Sequence, residues 1–167
     1  AVVLTFDPHP ITLLRPQQTP PALSLLDHKL ELFEKYGIGT VVVYPTDHAL
    51  LRLTPDEFFR DIIIGQLDVS GLVEGPNFFF GHNRTGNVQT LRTLCDASGR
   101  ALEVVSAVIV NGRMISSSEV RSRIASGRIA EAVEMLGHPY RLRGVIAQGA
   151  ARGSTIGFPT AHLEGLA

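Results

Sequence analysis

The chain has 167 residues, enough to bury one domain and begin a second. Its 15 Lys and Arg against 16 Asp and Glu leave a net charge of −1, which excludes the positive field that holds nucleic acid or an anionic membrane by charge alone. No apolar run approaches the roughly 18 residues of a membrane span, and Cys95 is the only cysteine, which excludes an intrachain disulfide and a cysteine metal cluster. This composition predicts a reduced, cytoplasmic protein.

Ala1 to Phe6 is a solid apolar run of β type and predicts a strand buried on both faces. A buried strand at the very start, and an end at 161–167 with no closing element, lead us to expect that both ends are cut. After a Pro-rich loop through Pro21, Ser24 is placed as the N-cap of a helix that turns Leu25, Leu26, Leu30, Phe33 and Tyr36 inward and stops at Gly37. Thr40 to Tyr44 predicts a second buried strand. Thr54-Pro55-Asp56-Glu57 predicts a capping box and a helix to about Gln66. Val69 to Glu74 follows as a third strand, then a helix from about Asn87 to Ala97, then a strand pair from Leu102 to Val110. Strand and helix alternating at this spacing predict an α/β fold, a parallel sheet with helices on both faces. Such sheets collect ligands at the carboxyl ends of their strands, here 7–10 and 75–86. Past Gly137-His138-Pro139 the pattern changes: Tyr140 to Gln148 alternates like an antiparallel strand, and a Gly-rich loop follows. A boundary there divides the chain into domains at 1–137 and 138–167.

Four segments carry residues suited to chemistry. Thr5-Phe6-Asp7-Pro8-His9-Pro10 is a turn stiffened by two prolines, giving an aromatic ring, a carboxylate and an imidazole fixed directions. A rigid connection with a solvated His9 accounts for it equally well. In 75–86, Phe78, Phe79 and Phe80 stand together between glycines, which suits a flat ligand, with Asn77 as donor and acceptor and Arg84 able to grip a phosphate. The plainer reading has Phe78 and Phe80 in the core. In Ile115 to Arg121, Ser116 and Glu119 predict a capped helix whose free N–H groups form an anion site beside Ser117, Ser118 and Arg121; a well-capped surface helix needs no ligand. In 149–161, glycines around Arg152 and Thr155 let backbone amides approach a polyphosphate, with Thr160 in reach of its Mg2+; the alternative is a long hairpin loop.

Taken in order, FDPHP, GPNFFFGHNRTGN, ISSSEVR, LGHPYRLRGVIAQG and GSTIGFPTA resemble the bacterial bifunctional FAD synthetase/riboflavin kinase family over nearly all of the chain. The resemblance implies a Rossmann-like nucleotidylyltransferase sheet that transfers AMP from ATP to FMN with Mg2+, followed by the first strands of a β-barrel that phosphorylates riboflavin. It places Phe6, Asp7, His9, Asn77, Phe78 and Phe80 at the flavin and Ser116, Ser117, Ser118 and Arg121 at the ATP phosphates, with Arg121 and Ser117 in the catalytic step. Gly153, Gly157, Pro159 and Thr160 fall on the kinase nucleotide loop, with Thr160 at the metal. The partners implied are small molecules, with no nucleic acid or membrane. The chain departs from the family pattern in three ways. The HxGH turn that precedes the FDPHP-type strand does not occur here, the kinase motif ends in His162 instead of Asn, and the kinase carboxylate would follow Ala167. Another nucleotidylyltransferase of the same fold and a non-catalytic flavin or nucleotide module are the competing readings.

Overall fold

The structure is a computed structural model that describes residues 1–147, 157–158 and 162–164. The chain forms two compact units, one from Ala1–Thr19 with Thr40–Ile115, the other from Pro20–Gly39 with Ser116–Ala167.

In the first unit, β1 (Val2–Asp7) pairs in parallel with β2 (Thr40–Pro45), Val2 opposite Thr40 and Asp7 opposite Pro45. The Val and Thr residues of both strands favour extended backbone because branching at Cβ packs well on a pleated surface. A second parallel pair joins β3 (Gly71–Glu74) to β6 (Ala101–Val104). A Cβ at Gly71 would lie 3.0 Å from that of Ala101, so the two strands meet closely there. Between them lies α4 (Val88–Ser98). The Asn87 side-chain Oδ1 accepts from the Gln89 and Thr90 amides at 2.9 and 3.0 Å, and Gly99 ends the helix at φ 66°. Leu91 and Cys95, four residues apart on one face of α4, are buried in the core. Burial pushes the Cys95 thiol up, with the Asp96 carboxylate adding to the effect, so this cysteine is a core residue and a poor nucleophile.

The expected capping box is present: Thr54 Oγ1 accepts from the Glu57 amide at 3.2 Å and Glu57 Oε2 accepts from the Thr54 amide at 2.8 Å. The Thr54 amide and hydroxyl, donating to Glu57 Oε2 at 2.8 and 2.9 Å, hold the Glu57 carboxyl below its usual range. The helix it starts differs from expectation. After one α turn, α3 (Pro55–Glu57), the chain widens into a π-helix over Phe58–Ile64. That winding buries Phe58, Phe59, Ile62 and Ile63, two adjacent pairs that supply much of the core.

Three further expectations are corrected. The parallel strands form two separate pairs, not one sheet, because no described strand lies at hydrogen-bonding distance from both. The strand pair foreseen over Leu102 to Val110 divides into β6 and a short antiparallel hairpin, β7 (Ile109–Val110) with β8 (Arg113–Met114), because Asn111 and Gly112 adopt the positive φ of a tight turn. Of the strand expected over Tyr140 to Gln148, only β9 (Val145–Ala147) forms within the described residues. It pairs antiparallel with β10 (His162–Glu164), and the described residues close no barrel.

The second unit contains α2 (Leu26–Lys35), α5 (Ser117–Ala125) and α6 (Ile129–Leu136). Leu25, not Ser24, stands at the N-cap of α2 and gives no side-chain cap, and Tyr36 is 65% exposed instead of facing the core. Tyr36 already lies past the last helical residue, where the chain turns through Gly37 at φ 77°. Gly127 at φ 73° turns the chain from α5 towards α6, and Val120, Ala132 and Met135 are buried. Arg123 is buried with them, 2% exposed. It pairs with Glu119, one turn before it in α5, and its Nε lies 3.1 Å from Glu131 of α6. A cation is tolerated at this depth because two carboxylates face it.

Candidate functional site

The first unit carries an aromatic cleft of about 180 Å³. Its wall is built by Phe6 from the end of β1, Phe58 from the start of the π-helix, and Phe78, Phe79 and Phe80 from the following loop and β4 (Phe79–Phe80). Phe78 stacks on Phe80 at 5.4 Å and 15° between planes, Phe80 meets Phe58 at 5.9 Å, and Phe58 meets Phe6 at 6.4 Å. Pro10, Leu14, Leu50 and Leu51 complete the apolar lining, and Gly81, Asn83 and Arg84 form its polar edge.

A chain of local constraints sets this geometry. β4 pairs antiparallel with β5 (Gly86–Asn87), Phe80 opposite Gly86, and any Cβ on Gly86 would come within 2.8 Å of the Phe80 ring. Gly81, at φ 73°, lies so close to Pro55 that a Cβ would meet its nitrogen at 2.6 Å. Beyond it the His82 amide donates to the Leu53 carbonyl at 2.7 Å. Its Nδ1 lies 3.0 Å from the Leu51 carbonyl, an acceptor only, so this nitrogen carries the proton. Together these contacts pin the loop to the segment that enters the π-helix. Gly81→Ala is therefore expected to cost about 3 kcal/mol or more, through the clash and the forbidden φ together. Gly75→Ala, where a Cβ meets nothing within 4 Å, should be near neutral. Urea unfolding of the pair checks this; similar values for both would show that the loop yields.

The sequence-derived flavin residues are distributed as follows. Phe6, Phe78 and Phe80 line the cleft, Phe80 as a core residue at 6% exposure, and Phe79 joins them at 46%. Asp7 and His9 are exposed at the carboxyl end of β1 and outside the lining; His9 Nδ1 accepts from the Ile11 amide at 3.2 Å and caps α1 (Pro10–Leu14). Asn77 is also exposed, its Nδ2 3.8 Å from Met114 Sδ. Beside the carboxyl ends of the strands, burial pushes the Glu74 carboxyl up, offset by the Gly75 amide, and Thr46 Oγ1 is buried without a partner among the described residues. Neither signal was readable in the sequence.

In the second unit, Ser116 caps α5 by accepting the Glu119 amide at 3.2 Å, as its spacing predicts. Ser117 and Ser118 are exposed in the first turn, where amides lack intrahelical acceptors. Arg121 Nε donates to the Pro21 carbonyl at 2.7 Å, which anchors the guanidinium. Asn77 and Arg121 belong to different units. In the kinase loop, Gly153, Pro159 and Thr160 lie outside the described residues. Gly157 turns at φ 81°, and His162 Nε2 lies 3.7 Å from Glu164 Oε1.

Parallel strand pairs, capped helices and a cleft walled by five phenylalanines define a mixed α/β protein with a preformed aromatic cleft. The FAD synthetase family matches residues 1–119 and the riboflavin kinase family residues 136–166, and the chain belongs to the FAD synthetase family. It is 32% identical over 162 residues to the bifunctional riboflavin kinase/FMN adenylyltransferase of Escherichia coli K12, covering 97% of this chain and 52% of the relative. It is 32% identical over 163 residues to the protein of that name from Bacillus subtilis strain 168, covering 96% and 51%. A solved structure described as a macrolide-efflux protein from Streptococcus pneumoniae superposes with a TM-score of 0.80 at 27% identity, covering 97% of this chain and 52% of that one. The chain thus spans about half the length of the curated relatives it matches. Among the described residues no helix is long and apolar enough to cross a membrane.

Proposed function

We propose that the chain is the flavin-adenylylating part of a bifunctional enzyme of FAD biosynthesis, with a Rossmann-like nucleotidylyltransferase domain over 1–137 and the opening of a riboflavin kinase barrel over 138–167. The aromatic cleft carries this reading: five phenylalanine rings around about 180 Å³ suit the flat isoalloxazine of FMN. The substrates are ATP, FMN and riboflavin, small molecules of the cytoplasm, with no nucleic acid or membrane partner.

In the adenylylation, a phosphate oxygen of FMN bonds to the α-phosphorus of ATP as the bond from that phosphorus to the bridging oxygen of the β-phosphate breaks. FAD forms and pyrophosphate leaves. Such a transfer asks the protein for positioning and charge neutralisation more than for acids and bases. The cleft holds the ring and excludes water from it. The family resemblance assigns Ser117, Ser118 and Arg121 to the ATP phosphates, and helix-start amides with hydroxyls and a guanidinium suit an anionic phosphate. Mg2+ supplies further neutralisation of phosphate charge when bound. The described residues contain no group of three or more His, Cys, Asp or Glu that could hold it, and Thr160 lies outside them.

Arg121→Ala in the full-length protein tests this assignment. Removing one charged hydrogen-bonding group is worth about 1.5–3 kcal/mol, so adenylyl transfer should fall roughly 10- to 100-fold while riboflavin phosphorylation stays near normal. Steady-state assays of both reactions on one preparation read the result. Equal loss of both would point to misfolding, and FMN binding without any adenylyl transfer in the unmodified protein would make it a binding module instead.

A further inference from the structure

We propose that Arg84 is the phosphate-reading residue of the aromatic cleft. It holds the phosphomonoester of a planar ligand, so that the cleft prefers the phosphorylated ring to the bare one. The inference rests on the flavin reading of the cleft.

Among the described residues Arg84 is the only charged one in the lining. An anionic tail cannot enter a wall of phenylalanine and leucine without losing its hydration, so it must stop at the polar edge, where Arg84 stands. Arg60, Arg100, Arg123, Arg128, Arg141 and Arg143 are each committed to a carboxylate. Among the described residues the Arg84 side chain has neither a carboxylate nor a hydrogen bond. Its one contact of note is with Phe79, with the guanidinium carbon 4.6 Å from the ring centroid. A guanidinium whose contact is with a ring keeps its N–H donors for a bidentate oxyanion.

The backbone points the same way. Asn83 and Arg84 both lie in the left-handed region, at φ 53° and 57°, which side chains adopt at a cost. The Gly81–Pro55 contact and the two His82 bonds hold the loop in that conformation.

The test compares FMN with lumiflavin, which carries the ring but neither the phosphate nor a tail the kinase can phosphorylate. In the full-length protein, Arg84→Ala should raise the KM for FMN in adenylyl transfer about thirty-fold with kcat within about threefold, the loss expected of one charge-assisted phosphate contact. The inhibition constant of lumiflavin and the KM for ATP should stay within about twofold, since neither ligand meets Arg84 through a flavin phosphate. Arg84→Lys, a point charge without the fork, should fall between, and it keeps the test readable if the alanine variant does not fold. Lumiflavin weakening in step with FMN would show that Arg84 only shapes the cleft, and a rise in the KM for ATP alone would make it a nucleotide residue; either overturns the inference. Phe78→Leu separates the two layers. If it weakens FMN and lumiflavin while Arg84→Ala changes neither, the flavin reading stands and the Arg84 inference falls. If neither ligand responds to either variant, both fall.

Discussion

Phe80→Ala should lower the unfolding free energy by about 3–5 kcal/mol, the largest loss expected from any of the three adjacent phenylalanines. Phe80 is 6% exposed, stacked on Phe78 and in contact with Phe58, so its removal opens a cavity that this core cannot easily collapse. Phe78 is half-buried and packs against the same core, and its loss should be intermediate, about 2–3 kcal/mol. Phe79 is 46% exposed and its noted partner is Arg84, so Phe79→Ala should cost about 1 kcal/mol or less. The order reverses for ligand: Phe79→Ala leaves a stable protein that uses FMN less well, with the KM for ATP little changed. Denaturant unfolding and adenylyl-transfer kinetics on the full-length protein give both rankings. Three equal stability losses with an unchanged KM for FMN would leave the loop purely structural and remove the basis of the flavin assignment.

The cluster around Arg123 gives the second large effect, and its size depends on which partner is removed. Glu119→Gln with Glu131→Gln strips both carboxylates from a cation that is 2% exposed, and should cost about 3–5 kcal/mol. Arg123→Met removes the buried charge itself. Glu119 and Glu131 are 31% and 49% exposed at the side chain, so they regain water, and methionine fills much of the vacated volume. That single change should cost clearly less, about 1–2 kcal/mol. Unfolding of the two variants side by side is the check. If Arg123→Met proves the costlier of the two, the ion pairs contribute more than the desolvation they offset.

The elements visible in the sequence are those fixed within a few residues. Thr54, Asn87 and Ser116 cap helices because a side-chain oxygen reaches an amide two or three positions on, whatever the rest of the chain does. The β-branched run at 1–6 and its partner at 40–44 are extended for equally local steric reasons. The expected cap at Ser24 failed although the residue type was favourable, because which residue begins a helix depends on how the chain enters it.

The candidate site was half legible. Three consecutive phenylalanines between glycines announce a cleft or a core, and the sequence alone does not divide the roles. Tertiary structure decided that Phe80 is core, that Phe79 faces outward under Arg84, and that Phe6 and Phe58 join the same wall. It also decided the π-helix, the left-handed pair Asn83 and Arg84, and the burial of Arg123. The reason is range. His82 is held by the Leu51 carbonyl 31 residues away, which leaves no mark on the residues beside it in sequence, and although Glu119 lies one turn from Arg123, the second carboxylate comes from another helix. Caps and strand propensities act through bonds closed within a turn, whereas the cleft exists only once segments at 6, 50–58 and 78–84 have met.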